Sequence, residues 1–399
     1  MPGPLQGVRI LELAHVILGP YACQILADMG AEVIKIEPPT GDKMRTLGAV
    51  AHSPDMASLF LACNRNKRSL VLDLKKKSAR GVVLKLAETS DVVVHNNRPQ
   101  VMTNLGLDYA DFKAVNPHII YCGAYGYSKN GPYGERGALD EAIQASGGIA
   151  DLNGRANGVP RSVPTALADK INSITVAYAV LGALIHRSRT GRGQDIEVPM
   201  METMVNYVMA EHLWGMGFEP PLSGPGYAPL ISPKRQPMRT KDGYVAILTS
   251  LDPHWKIFCT RTGRADLLTD PRFATAAARV KNADATYGET AKVLATHTTQ
   301  HWMDMFKDTS VPITTLSNLE DLITDPHLDA VGFWQISEHP TEGRVRMPSF
   351  PIRYSKTPAE IRRHPPNLGE HSVEVLQEAG LTRQDIDSLL ADGTTSQKA

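Results

Sequence analysis

Cysteine is scarce in these 399 residues: Cys23, Cys63, Cys122 and Cys259 lie far apart and form no CxxC pair. That excludes a disulfide framework and a thiolate zinc site. No histidine pair sits beside an acid in the spacing of a zinc hydrolase, so no metal is expected. There is no excess of charge of one sign, with 42 Lys and Arg against 42 Asp and Glu. Bulk electrostatics therefore call for neither nucleic acid nor an anionic membrane. The N-terminal stretch MPGPLQGVRILEL lacks a basic segment followed by a long apolar one, and no apolar run reaches the ~20 residues of a bilayer span. A reduced, soluble, cytoplasmic protein without membrane partners is the expectation.

What is present is alternation. Val8 to Leu13 reads as a buried strand, His15 to Pro20 as a turn, Tyr21 to Met29 as a helix closed by Gly30, and Ala31 to Glu37 as the next strand. Strands at 69–74, 91–94 and 119–123, with helices between them, continue the pattern. This predicts an α/β fold with an open, parallel, Rossmann-like sheet whose ligands sit at the carboxyl ends of the strands. The first turn reads HVILGP and carries no GxGxxG, which argues against a dinucleotide. Arg65, Lys67 and Arg68 precede the strand at 69–74 and Lys75 to Lys77 follow it, which suits either a phosphorylated ligand or a solvated face. Gly123 to Gly134 is a glycine-punctuated loop able to offer bare N–H groups.

The stretch Pro164 to Thr203 organises the rest. Asp169 opens a long apolar helix in which Ile171, Ile174, Ala177, Tyr178, Leu181, Leu184 and Ile185 recur at three- and four-residue steps, predicting one buried face. An acid there is either an N-cap or, beside an uncharged approach segment, a nucleophile or base. Beyond it the texture changes. Residues 1–215 read as the N-terminal part of a large domain, 216–230 as a Pro/Gly-rich linker, 231–328 as a smaller α+β domain, and 329–399 as a linker and C-terminal return, polar and disordered after Asp392.

The motifs GPYA…ADMGAEVIKIE (Gly19 to Glu37), NKRSLVLDLK (Asn66 to Lys75), NP…IYCGAYG (Asn116 to Gly126), ADK (Ala168 to Lys170), RTGRGQ (Arg189 to Gln194), DPHL (Asp325 to Leu328) and NLGEH (Asn367 to His371) occur in this order. Together they resemble the class III coenzyme A transferases, a group that includes formyl-CoA and carnitine CoA-transferases and α-methylacyl-CoA racemases. The resemblance implies Asp169 as a covalent nucleophile, acyl-CoA and small carboxylic acids as substrates, no permanently bound cofactor, and an interlinked homodimer. It implies coenzyme A contacts at Val16, Arg45, Leu72, Asp73, Lys75, Asn96, Asn97, Arg98, Tyr125, Gly126, Arg136 and Leu139. Substrate contacts are implied at Ile17, Asp140, Gly224 and Gly226. Ile17 and Pro38 depart from the Gln and Arg of formyl-transferring relatives, and Asn104 stands where they carry a basic residue. The racemase branch places a histidine before the acid at 140, where this chain has Leu139. Arg136, Arg161 and Arg235 are candidates for a second carboxylate of an acceptor.

Overall fold

The computed structural model describes residues 3–397. The chain divides into two compact units, one formed by residues up to 147, 164–205 and 326 onward, the other by 148–163 and 206–325. The division differs from the sequence expectation in three ways. It falls at 205 rather than 215, it gives residues 148–163 to the smaller unit, and it returns at 326 rather than 329.

The larger unit runs β1 (Arg9–Leu13), α1 (Leu18–Asp28), β2 (Glu32–Glu37), α2 (Ser58–Cys63), β3 (Lys67–Val71), α3 (Lys77–Ala87), β4 (Val92–His95), α4 (Pro99–Leu105), α5 (Tyr109–Val115), β5 (Ile120–Tyr125) and α6 (Asp140–Ser146). After α7 (Ile149–Asn157), which belongs to the smaller unit, come α8 (Leu167–Thr190), β6 (Asp195–Pro199) and α9 (Met200–His212), within which the chain leaves the larger unit. The six strands form one parallel sheet in the order β3-β2-β1-β4-β5-β6. Successive side chains alternate between the two faces. Leu11, Leu13, Ile34, Ile36, Leu70, Val93 and Tyr121 build one core with Val83, Leu86 and Phe112. The opposite face, under α1, carries Glu12, Lys35, Glu37, Lys67 and Ser69, all fully buried.

The smaller unit continues with α10 (Ala228–Ile231), β7 (Met238–Arg239), β8 (Tyr244–Ile247), α11 (Asp252–Arg261), α12 (Asp266–Thr269), α13 (Ala276–Lys281), α14 (Ala283–Leu294), α15 (Thr299–Phe306), β9 (Ile313–Thr315) and α16 (Leu319–Ile323). Its core is aromatic: Trp255, Phe258, Phe273, Trp302 and Phe306 are each at most 2% exposed. Back in the larger unit, α17 (Pro326–Ala330) leads to an antiparallel hairpin, β10 (Trp334–His339) with β11 (Gly343–Pro348), where the sequence suggests a linker. The helices α18 (Ser372–Glu378) and α19 (Arg383–Ala391) close the sheet core with Val375, Leu376, Ile386 and Leu389. The expected disorder after Asp392 is not found in the described tail. Thr394 and Thr395 are buried, and the Thr395 hydroxyl donates to the Val71 carbonyl at 2.7 Å.

α8 also corrects two expectations. It is long and apolar enough to cross a bilayer by length and composition, yet it packs on α1 and β5. Its buried residues are Ala168, Asn172, Ser173, Val176, Ala177, Val180 and Ala183, whereas Ile174, Tyr178 and Ile185 are 55%, 60% and 52% exposed. Small residues let α8 lie close to α1. The bulky stripe faces outward, because a helix apolar on most sides has no single face that periodicity can select.

Candidate active site

In a sheet of order 3-2-1-4-5-6 the connections leave in opposite directions from the two neighbouring strands β1 and β4, opening a crevice above their carboxyl ends. The loop after β1 enters it under tight restraint. Val16 holds φ at +69°, a left-handed conformation that a β-branched residue rarely adopts. Its N–H is held by both carboxylate oxygens of Asp42, at 3.2 and 3.3 Å. The Asn96 side chain exchanges two hydrogen bonds with the His15 backbone, at 3.0 and 2.7 Å, and Asn97 donates to the Leu13 carbonyl. Gly19 follows because a Cβ there would stand 2.2 Å from that of Ala14. Val16 and Ile17 remain half-buried, against Met44, Met56 and Phe60. Asn96 and Asn97, expected on coenzyme A, thus spend their side-chain donors on shaping this loop.

The charged layer under α1 is fully paired. Lys35 sits between Glu12 (2.8 Å) and Asp42 (2.9 Å), and Lys67 binds the other Glu12 oxygen at 2.7 Å. Arg45 makes a two-pronged pair with Glu37 at 2.7 Å for each bond and stacks on Phe60. Burial and paired charge oppose each other in this layer. For Lys35 the acids win and raise its pKa; for Glu37 the cations win and lower it. The phosphate role expected of the basic residues here is corrected accordingly. Arg45 is 1% exposed, Arg65 is committed to Asp28, and Arg68 to Glu32, Glu374 and Glu378, so none of these three is free for a ligand. Lys75, after β3, is different: it is exposed, and no carboxylate pairs with it among the described residues. Leu72 beside it is fully buried, so its side chain is core, and Asp73 caps the turn by accepting the Lys75 N–H.

Asp169 lies in the first turn of α8, whose N-terminus reaches the same edge of the sheet. It is not the N-cap: Ala166 holds that position and no side chain caps the helix. The Ser173 hydroxyl bonds both the Asp169 carbonyl (2.8 Å) and the Leu18 carbonyl (2.7 Å), tying this turn to the start of α1. Asp140, at the start of α6 and buried, accepts the Asp169 N–H at 3.0 Å with one oxygen and the Gln144 amide at 2.6 Å with the other. Burial, with Asp140 and Glu141 adding like charge, pushes the Asp169 pKa up to about 7. Its carboxylate receives no hydrogen bond from the described residues. A carboxylate that is neither paired nor hydrogen-bonded is more basic than an ordinary one and open to attack a carbonyl carbon.

The segment after β5 borders this edge. Gly126 lies where a Cβ would meet that of Ala138 at 2.3 Å, and Arg98 donates to the Glu135 carbonyl at 3.1 Å. Arg136 stacks on Tyr133 and Leu139 is 71% exposed, so both are accessible. Tyr125 turns its hydroxyl to Glu197 at 2.8 Å and is buried. Gly224 and Gly226 lie in the smaller unit, in an exposed loop where the Gly226 N–H bonds the His212 carbonyl. Sequence reasoning missed Asp42, Gln144 and Ser173, because each acts on backbone atoms of distant segments. The left-handed turn at Val16, a valine rather than a glycine, gave no signal either.

A family model, CoA-transferase family III, matches residues 5–372. The chain belongs to CoA-transferase family III. It is 30% identical to human succinyl-CoA:glutarate CoA-transferase over 99% of this chain and 90% of that one. It is 33% identical to the succinate–glutarate CoA-transferase of Agrobacterium fabrum, over 94% and 95% of the two chains. Among solved structures, an aspartate-to-alanine mutant of Rv3272 from Mycobacterium tuberculosis matches at 30% identity with a TM-score of 0.84, over 94% and 99% of the chains. This family III member is therefore a CoA-transferase, and its parallel sheet is the family's fold.

Proposed function

We propose that the enzyme moves coenzyme A from an acyl-CoA to a small dicarboxylic acid through covalent intermediates at Asp169. An Asp169 oxygen attacks the thioester carbonyl, the C–S bond breaks, and the CoA thiolate leaves an acyl–aspartyl anhydride. The thiolate attacks the Asp169 carboxyl carbon, releasing the donor acid and leaving an enzyme–CoA thioester. The acceptor carboxylate attacks that carbon, expelling the thiolate, which then attacks the acceptor's acyl carbon in the new anhydride and frees Asp169. No net proton is exchanged. Each intermediate is activated at least as strongly as the thioester it replaces, so transfer proceeds without hydrolytic loss if water is kept out. Backbone N–H groups of the Gly126 loop and the first turn of α8 are the candidates to hold the oxyanions. Exposed Lys75 is the candidate for a CoA phosphate.

The observation that carries this reading is the uncompensated Asp169 carboxyl, with its pKa near 7, at the carboxyl edge of the sheet. The acceptor class follows the relatives, whose names give glutarate, mesaconate and oxalate. Racemisation is disfavoured because Asp140 commits both oxygens to hydrogen bonds and position 139 is leucine, leaving no second acid–base group. A homodimer fits the outward stripe Ile174, Tyr178 and Ile185, an apolar face that a single chain leaves in water. Hydroxylamine added to enzyme and acyl-CoA should leave a hydroxamate on the peptide carrying Asp169, and none in Asp169→Ala. An unmodified peptide from enzyme shown to bind the donor would sink the covalent route.

A further inference from the structure

The smaller unit has a cationic feature that the chemistry at Asp169 does not use. Ser232 to Arg235 form a tight turn: the Arg235 N–H bonds the Ser232 carbonyl at 3.0 Å, and the Ser232 hydroxyl, buried, donates to Asp284 at 2.5 Å while accepting the Lys234 N–H. The turn is thereby pinned to α14. It leaves Arg235 beside Tyr287 of the same helix. These two residues form a wall shared by two cavities, of about 460 and 200 Å³. The larger is otherwise lined mostly by apolar residues, among them Met238, Ile247, Leu248 and Ile313, with Gln236 and Thr314 the polar exceptions.

Arg235 is half-buried and has no acidic partner among the described residues. Two other arginines of the unit are compensated by acids. Arg279, on the smaller cavity, is paired with Asp252 and two carbonyls, and Arg264 with Asp266 and Glu289. A guanidinium drawn into an apolar cleft without a counter-ion loses hydration that only an anion restores well. Its fork matches a carboxylate, the Tyr287 hydroxyl supplies a further donor, and the aliphatic walls suit methylene groups.

We propose that Arg235 and Tyr287 form a carboxylate site in the smaller unit that takes one end of a short aliphatic dicarboxylate, as the free acid or as the terminal carboxylate of its CoA thioester. The choice of ligand rests on the CoA-transfer reading; the site itself rests on the cavity and its unpaired cation. Arg136 and Arg161, the other candidates in the sequence, are exposed and line neither cavity.

The test is titration calorimetry of the full-length protein with glutarate, with succinyl-CoA and with acetyl-CoA, for the native chain, Arg235→Gln, Arg235→Lys and Tyr287→Phe. Arg235→Gln should weaken binding of glutarate, or of succinyl-CoA but not acetyl-CoA, by at least ~10-fold. The first result assigns the site to the free acid and the second to the thioester. Arg235→Lys should recover part of the loss, and Tyr287→Phe should weaken binding several-fold. In turnover, the KM for whichever of glutarate and succinyl-CoA loses affinity should rise with kcat held, which a merely structural role would not produce. If Arg235→Gln does not fold, the Lys and Phe variants decide. Native-like affinity for both dicarboxylate ligands in the folded variants, or no binding of either by the native protein, overturns the proposal. Arg235-dependent binding without a hydroxamate at Asp169 would keep this site and discard the covalent mechanism; the reverse pattern would do the opposite.

Discussion

Two groups of acids in the larger unit, one buried and one at a half-buried helix start, have opposite fates. Under α1, Glu12, Glu37 and Asp42 are matched by Lys35, Lys67 and Arg45, and these cations hold the Glu37 and Asp42 carboxyls below the ordinary range in spite of burial. At the start of α8, Asp169 lies near Asp140 and Glu141 and makes no ion pair among the described residues, and burial with that like charge drives its carboxyl up to about 7. Both groups pay for burial, but only the first is compensated. The compensated layer is scaffold: through Asp42 it holds the Val16 turn open at the crevice. The uncompensated acid is the one we propose as the nucleophile. A buried charge by itself therefore says little about function. Whether its partners cancel it says much more.

Breaking each side of this contrast should give different kinds of damage. The largest effect expected is on chemistry: Asp169→Ala should lower kcat for CoA transfer by ~1,000-fold or more, measured with the enzyme still folded by circular dichroism. Next is damage to the scaffold. Lys35→Met leaves Glu12 and Asp42 facing each other without their shared cation, and should cost about 3–5 kcal/mol in urea unfolding.

Asp169→Asn sharpens the comparison from the other direction. A carboxyl whose pKa is raised on folding contributes stability that is full at low pH and lost as the pH rises through about 7. Removing the charge should therefore stabilise the fold at pH 8, by about 2 kcal/mol, and much less at pH 5. Matched unfolding curves at the two pH values check this. Lys75→Ala should raise the KM for an acyl-CoA donor several-fold, with the difference shrinking in high salt. The smallest effect is expected at the strained turn: Val16→Gly should change stability by less than about 1 kcal/mol, because relief at φ +69° is offset by lost packing on Met44, Met56 and Phe60 and by the greater chain entropy of glycine.

Much of the sheet was legible because it rests on local alternation. VRILEL, the helix ending at Gly30 and EVIKIE each announce themselves within a dozen residues. The charged layer was not legible, because its pairs join residues far apart in sequence: Lys67 with Glu12, Arg68 with Glu374 and Glu378. Read locally, Arg65, Lys67 and Arg68 look like a ligand-facing cluster. The sheet's alternation and the distant acids turn them inward. Thr394 and Thr395 escaped notice for a related reason, since polar residues are buried when the backbone of another segment satisfies them. Asp169 could be singled out from its place before an apolar helix and from the family resemblance. What could not be read was its burial and, after that, its acidic neighbours, which together raise its pKa.

The most direct test of the account is the pH dependence of single-turnover acyl transfer to Asp169, followed as hydroxamate formation, in the native enzyme and in Asp140→Asn. The substitution keeps an oxygen that can accept the Asp169 N–H but removes the nearer like charge. The rate should rise with pH to a plateau with its midpoint near 7 in the native enzyme, and the midpoint should be lower in the variant. A native midpoint in the ordinary aspartate range, or one that Asp140→Asn does not move, would contradict the claim that uncompensated acids set the reactivity of this site.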